Sequence, residues 1–167
     1  IYREDKAMRK KDREIGDFSQ ILAIVAKSQV VRLGLFAEDY PYVVPLSFGY
    51  EQREGTLIVY FHCAAQGKKI DLIARDNRVC LEWDALAGYV ETGHSVTADY
   101  ESVIAFGRAR LCQGEEKVRG IRLLLEHTGF TDYSAQACAA LPVVEVCKVV
   151  CDRITGKRRF PKKAEMS

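Results

Sequence analysis

Strand-like segments follow one another along this chain with too few helices between them to build a parallel sheet. Each parallel pair needs a crossover, usually a helix. Here "VVRLGLF", "YVVPLSFGY" and "TLIVYFH" come in succession, separated only by the turns "AEDYP" and "EQREG". The first two read as a hairpin. One helix, "GKKIDLIARDN", precedes the fourth strand, "RVCLEWD". "YESVIAFGRARLC" is a long fifth strand in which Gly107 signals a bend or bulge, and "VVEVCKVVCDRITG" is a sixth. Two more helices complete the set. "DFSQILAIVAKS" carries Phe18, Ile21, Leu22 and Val25 at helical spacing behind a capping-box pair, Asp17 and Gln20. "GEEKVRGIRLLLEHTGF" turns Val118, Ile121, Leu124 and Leu125 inward. "ALAGYVETGHSVTAD", with two glycines, reads as a loop. The expectation is mostly β with α: a six-stranded, mostly antiparallel barrel with about three flanking helices.

A chain of 167 residues, 48% hydrophobic and 29% charged, is enough for one domain with a sizeable core. The expected division is a short extension over 1–16, the barrel domain over 17–156, and a basic tail over 157–167. A net charge of +2 gives no general attraction to nucleic acid. The basic segments "MRKKDR" and "GKRRFPKK" read as solvated ends, without the aromatic interleaving that binds bases. No apolar run approaches the ~20 residues that span a bilayer. The charged N-terminus has no signal-peptide pattern. The six cysteines form no CxxC pair, so they are expected to be reduced and non-catalytic in a cytoplasmic protein. The scattered His62, His94 and His127 do not make a metal site.

Two features point to a ligand. Lys68 and Lys69 fall in the first turn of a helix, where the helix field disfavours cations. A phosphate at that end would receive backbone N–H groups and two charge-assisted contacts, and Gly67 would let the backbone approach closely. The alternative is a pair of solvated lysines bearing a penalty of ~0.3–1 kcal/mol. The second strand is divided by side-chain size. Tyr42, Val44, Leu46, Phe48 and Tyr50 make a bulky face, and Val43, Pro45, Ser47 and Gly49 a small one. Pro45 either marks a plain edge strand or leaves room for a flat ligand against the backbone.

Four stretches together, "YPYVVPLSFGY", "YFHCAAQGKKIDLI" with "NRVCLE", "YESVIAFGRARL" and "ITGKRR", resemble the pyridoxamine 5′-phosphate oxidase-like, FMN-binding split-barrel superfamily, and within it the Nim-type, nitroimidazole-resistance-related proteins. The resemblance covers roughly residues 8–159. It implies a six-stranded split β-barrel that forms a homodimer, with FMN in the groove between subunits. By that resemblance Pro45, Leu46, Ser47 and Phe48 run past the isoalloxazine ring. Phe61 and His62 approach the ribityl phosphate, Lys68 and Lys69 bind it, and Ser102 meets the flavin from the neighbouring subunit. His62 is the candidate catalytic residue, as a proton source. The C-terminus lacks the Arg- and Trp-rich end of true pyridoxamine phosphate oxidases, so vitamin B6 oxidation is not expected.

The function implied is an FMN-dependent oxidoreductase. It would pass electrons from NAD(P)H or a protein donor to an electron-poor small molecule, such as a nitroaromatic or quinone. No nicotinamide-binding fingerprint is present, so NAD(P)H would bind only transiently. The alternatives are a heme- or deazaflavin-binding barrel and a flavin-binding module without catalysis.

Overall fold

The computed structural model describes residues 8–160. A 3-10 turn, Lys11–Arg13, leads into β1 (Glu14–Ile15) and α1 (Phe18–Lys27). There follow β2 (Val31–Leu35), β3 (Tyr42–Leu46), β4 (Gly49–Arg53), β5 (Thr56–Ala64), α2 (Lys68–Arg75), β6 (Arg78–Thr92), β7 (Ser95–Leu111), α3 (Gly114–His127) and β8 (Val144–Arg159). All pairings are antiparallel, in the order β3-β2-β6-β7-β8-β5-β4, with β1 added to β8. Thus β8, the latest strand in sequence, lies in the middle of the sheet. No helix of the described residues is long and apolar enough to cross a membrane.

The antiparallel, helix-flanked barrel is as the sequence suggests, but the described residues form eight strands rather than six. The stretch read as one strand is broken after Leu46, and its halves go to opposite edges of the sheet. Only Ser47 and Phe48 join those edges, so the sheet must curl until they approach. They do not pair with each other, and a split is left in the wall. The second added strand is the two-residue β1.

The segment read as a loop instead continues β6 and β7 as a hairpin arm. Gly88 sits at a register shift, and Gly93, at φ +63°, forms the tight turn with His94. The two glycines therefore mark a bulge and a two-residue hairpin turn.

The inner face packs Leu33, Phe48, Val59, Phe61, Leu81, Trp83, Val103 and Val149, with Ile24 and Val25 of α1 also fully buried in that cluster. Asp17 caps α1 by accepting from the Ser19 N–H at 2.8 Å. Gln20 does not close the box, because its side-chain oxygen accepts from Arg158 at 2.9 Å.

Helix α3 covers the outer side of β5, where Ile58, Tyr60, Ile121 and Val146 form a second cluster. Glu51 ties this layer together, accepting from the Tyr60 hydroxyl at 2.7 Å and from Arg119 Nε at 3.0 Å. A Cβ on Gly49 would lie 2.4 Å from the α3 backbone at Leu123 and Leu124. Gly49→Ala is therefore expected to push α3 outward and cost about 1–3 kcal/mol. Urea unfolding checks it by a lower midpoint at unchanged slope. An unchanged midpoint would mean that α3 yields freely.

Beyond Ile154, β8 carries Lys157 to Arg159 inside the strand, residues that the sequence reading gave to the tail. Arg158 Nε donates to the buried Glu101 at 2.9 Å, and Arg159 pairs with the buried Asp99. Residues 1–7 of the expected extension and 161–167 of the expected tail lie outside the described residues.

Candidate functional site

The split has a defined mouth. Strand β5 pairs with β4 only as far as Tyr60, opposite Gly49. Residues 61–64 are therefore flanked by β8 alone. Three residues later the N-terminus of α2 sits at the same end. Gly67 is its cap residue at φ +136°, a conformation that glycine tolerates, and nothing lies within 4 Å of where its Cβ would be. No side chain caps this terminus. The first N–H groups of the helix are therefore left without a side-chain cap.

The two lysines reach to opposite sides of the split. Lys68 Nζ stands 4.8 Å from the ring centroid of Tyr42, on β3. Lys69 Nζ stands 5.6 Å from the ring centroid of Phe61, on β5. Neither ammonium has a carboxylate partner among the described residues. Two cations and a bare helix N-terminus make a place where an anion with several acceptor oxygens is favoured.

His62 follows Phe61 at the mouth and is exposed. Partial burial, more than the nearby Lys69 ammonium, lowers its pKa below 6.5. With no anion bound, the ring is thus predominantly neutral at pH 7. The unfolded chain takes up this proton more readily than the folded one. Stability from this group is intact above pH 6.5 and lost as pH falls through the folded value. A histidine NMR titration should place the His62 midpoint below 6.5, and Lys69→Met should move it upward. A wild-type midpoint at or above 6.5 would contradict the arrangement.

The other sequence candidates divide into two groups. Pro45 and Ser47 are exposed on β3 and the link after it, and Leu46 is half-buried. Strand β3 is an edge whose one partner is β2, with Pro45 opposite Arg32. Phe48 and Phe61 are fully buried in the core. Their rings are not available to a ligand, so any contact from these positions is through backbone. Ser102 is not brought to the lysines within one chain. It sits on β7 between Asp84 and Lys157, with β8 separating its strand from β5.

Of the remaining histidines, His94 is exposed at the arm's turn. His127 Nε2–H donates to the Ser28 carbonyl at 2.8 Å, and its ring lies 4.3 Å from that of Phe48. It is a tether between α3 and the residue after α1. Among the described residues no three His, Cys, Asp or Glu side chains gather into a metal-binding group.

One surface was missed from sequence. A cavity of about 870 Å³ opens on the outer side of β2, β6 and β7, lined by Phe36, Tyr40, Val43, Cys80, Phe106 and Arg153 among others. Phe36 and Val43 are each 59% exposed. The available signal was "SVIAFG", where Ile104 and Phe106 make β7 apolar on both faces, as in a strand covered on both sides.

The pyridoxamine 5′-phosphate oxidase family model matches residues 17–158. No curated protein matches. Among solved structures, a candidate 5-nitroimidazole antibiotic resistance protein from Bacteroides thetaiotaomicron is 30% identical, with a TM-score of 0.72, over 86% of this chain and 85% of that one. A flavocytochrome from Azotobacter vinelandii is 20% identical, with a TM-score of 0.75, over 95% of this chain and 76% of its own. A FAD and heme binding protein from Mycobacterium smegmatis is 16% identical, with a TM-score of 0.76, over 91% and 77%. The last two bear on the fold alone.

Proposed function

The chain belongs to the pyridoxamine 5′-phosphate oxidase family, and on that premise we propose that it binds FMN and acts as an oxidoreductase toward electron-poor small molecules of the nitroaromatic or quinone type. The observation that carries this reading is the pair of lysines, without carboxylate partners among the described residues, astride the split at a helix N-terminus that no side chain caps. That donor set suits a terminal phosphate. Lys68 and Lys69 hold it, and Gly67 lets the helix N–H groups approach. The backbone of residues 45–48 would hold the ring, with the small side of Pro45 and Ser47 leaving room for a plane.

When bound, the flavin supplies the two-electron chemistry, and the protein tunes and shields it. His62 is neutral at pH 7 while the site holds no anion. A phosphate dianion beside it favours the imidazolium, and in that state His62 is the proton source at the mouth. Ser102 reaches a flavin only from a second copy, so the working unit is a homodimer. The exposed Ile104 and Phe106 beside it are the surface such a copy would cover. NAD(P)H or a protein donor serves as reductant.

The test is direct. Purified chain is loaded with FMN, freed of excess, and its visible spectrum and mass in solution are recorded. NADH or NADPH is added without oxygen, and then a nitroimidazole. The expected results are a retained flavin band on a dimer, bleaching by reductant, and recovery by the nitro compound. Failure to retain FMN overturns the cofactor assignment, and a heme band after heme loading favours the heme reading. Retention without bleaching by any reductant leaves a flavin-binding module and removes the enzyme.

A further inference from the structure

Two of the six cysteines are neighbours across a strand pair. In the β5–β8 pairing Phe61 lies opposite Cys147, and Cys63 opposite Glu145. Cys63 and Cys147 are therefore diagonal neighbours on one face, Cys147 within the inner core cluster and Cys63 packed against it. Cys147 is fully buried, whereas Cys63 is half-buried at the mouth of the split. By contrast, Cys80 meets only the Leu81 carbonyl, at 3.9 Å, and Cys112 meets Glu116.

We propose that Cys63 and Cys147 are a redox dithiol, with Cys63 the nucleophile toward a hydroperoxide and Cys147 the resolving thiol. The Cys63 thiolate attacks one peroxide oxygen and the O–O bond breaks. Cys63 becomes a sulfenic acid, and the other oxygen leaves as water after taking a proton. The Cys147 sulfur then attacks the Cys63 sulfur. An S–S bond forms, the S–O bond breaks, and the second oxygen departs as water with the Cys147 proton. Two thiols are oxidised by two electrons, and one hydrogen peroxide is reduced to two waters.

The surroundings favour this division of roles. The Cys147 thiol, then the Lys69 ammonium on α2, draw the Cys63 thiol down to about 7, against burial and the Glu145 carboxylate on β8. The Cys63 thiol and its own burial push Cys147 up, so Cys147 keeps its proton. His62, the preceding residue, is neutral at that pH. Lys117 on α3 stands 4.0 Å from Glu145 and partly offsets its charge. Diagonal strand neighbours sit somewhat further apart than a disulfide prefers, so closing the bond requires β5 to move toward β8. On residues 61–64 only the β8 ladder resists that shift, since no strand holds their other side. The proposal does not depend on flavin binding.

Fully reduced, full-length protein is treated with one equivalent of hydrogen peroxide at neutral pH, digested and mapped by mass spectrometry. The expected product is a peptide joining Cys63 to Cys147, with the other four thiols unmodified. In Cys147→Ser the same dose leaves a dimedone-trapped sulfenic acid on Cys63, and in Cys63→Ser it leaves Cys147 reduced. Alkylation of Cys63 by iodoacetamide should rise with a midpoint near about 7, and higher in Cys147→Ala. Oxidation spread over all six thiols, a disulfide between other cysteines, or Cys63 oxidised to sulfinic acid in wild type without a cross-linked peptide each overturns the proposal. The wild-type map decides even where a variant folds poorly.

Discussion

Replacing Lys68 and Lys69 together by alanine is expected to weaken FMN binding at least a hundredfold while leaving riboflavin binding unchanged. A charge-assisted contact is worth about 1.5–3 kcal/mol when well formed. Two of them exceed the ~2.8 kcal/mol that a hundredfold represents, each 1.4 being tenfold. Riboflavin lacks the phosphate, so it does not engage the lysines. The fold should tolerate the change. Each ammonium gives up a cation–π contact, to Tyr42 or Phe61, worth about 0.5–1 kcal/mol at an exposed site. Against that, two cations leave a helix N-terminus that disfavours each by about 0.3–1 kcal/mol. Titration of apoprotein with both ligands, wild type against double variant, separates the cases. Equal FMN affinities would show that the lysines are solvated and that the anion binds elsewhere or not at all.

The largest loss of stability is expected from Phe48→Ala, about 3–5 kcal/mol. The Phe48 ring is fully buried, 4.3 Å from His127, 5.9 Å from Trp83 and 6.2 Å from Tyr50, centroid to centroid. It packs one of the two residues joining the edges of the sheet onto the barrel core and α3. Truncation removes the ring from the point where these layers meet, and the backbone link limits collapse around the hole. In a domain of this size the melting temperature should fall by roughly 10 °C. Phe48→Leu, which keeps most of the volume, should cost much less. Because the ring faces inward, FMN affinity measured where the variant is folded should change little. A stability loss below ~1 kcal/mol would remove the keystone role, the usual cost being several times larger. A large change in affinity without loss of stability would place the ring at the ligand.

The position of the lysine pair was legible in sequence because it is local: two cations at a helix start are anomalous wherever the chain goes, and α2 does begin at Lys68. The alternation from Tyr42 to Leu46 was equally local, and the exposed Pro45 between half-buried neighbours follows it. The break after Leu46 was hidden, because bulky residues continue at every second position through Phe48 and Tyr50. No local pattern says that the second half of such a run joins the opposite edge. The arm was hidden by Gly88 and Gly93, which signal a loop when counted and a bulge and turn when placed in register. The basic residues ending β8 looked like a tail, because the acids that neutralise Arg158 and Arg159 lie 57 and 60 positions earlier, on β7. Ser102 was a site candidate by resemblance alone, and within one chain nothing brings it to the lysines.

The central position of β8 has a consequence for how the protein is made. The β6–β7 arm is a hairpin of neighbouring segments, of the kind that closes in about 1–10 μs. It can form as soon as both strands have left the ribosome. Strand β8 is the last of the described strands to be synthesised, yet it inserts between β7 and β5. Until it emerges, β5 carries only β4, and β7 carries only β6, with a row of unpaired backbone groups facing each gap. Between the emergence of β7 and that of β8 the nascent chain is therefore two unsealed half-sheets, and that interval, rather than the finished barrel, is when it is most exposed to chaperones and to aggregation.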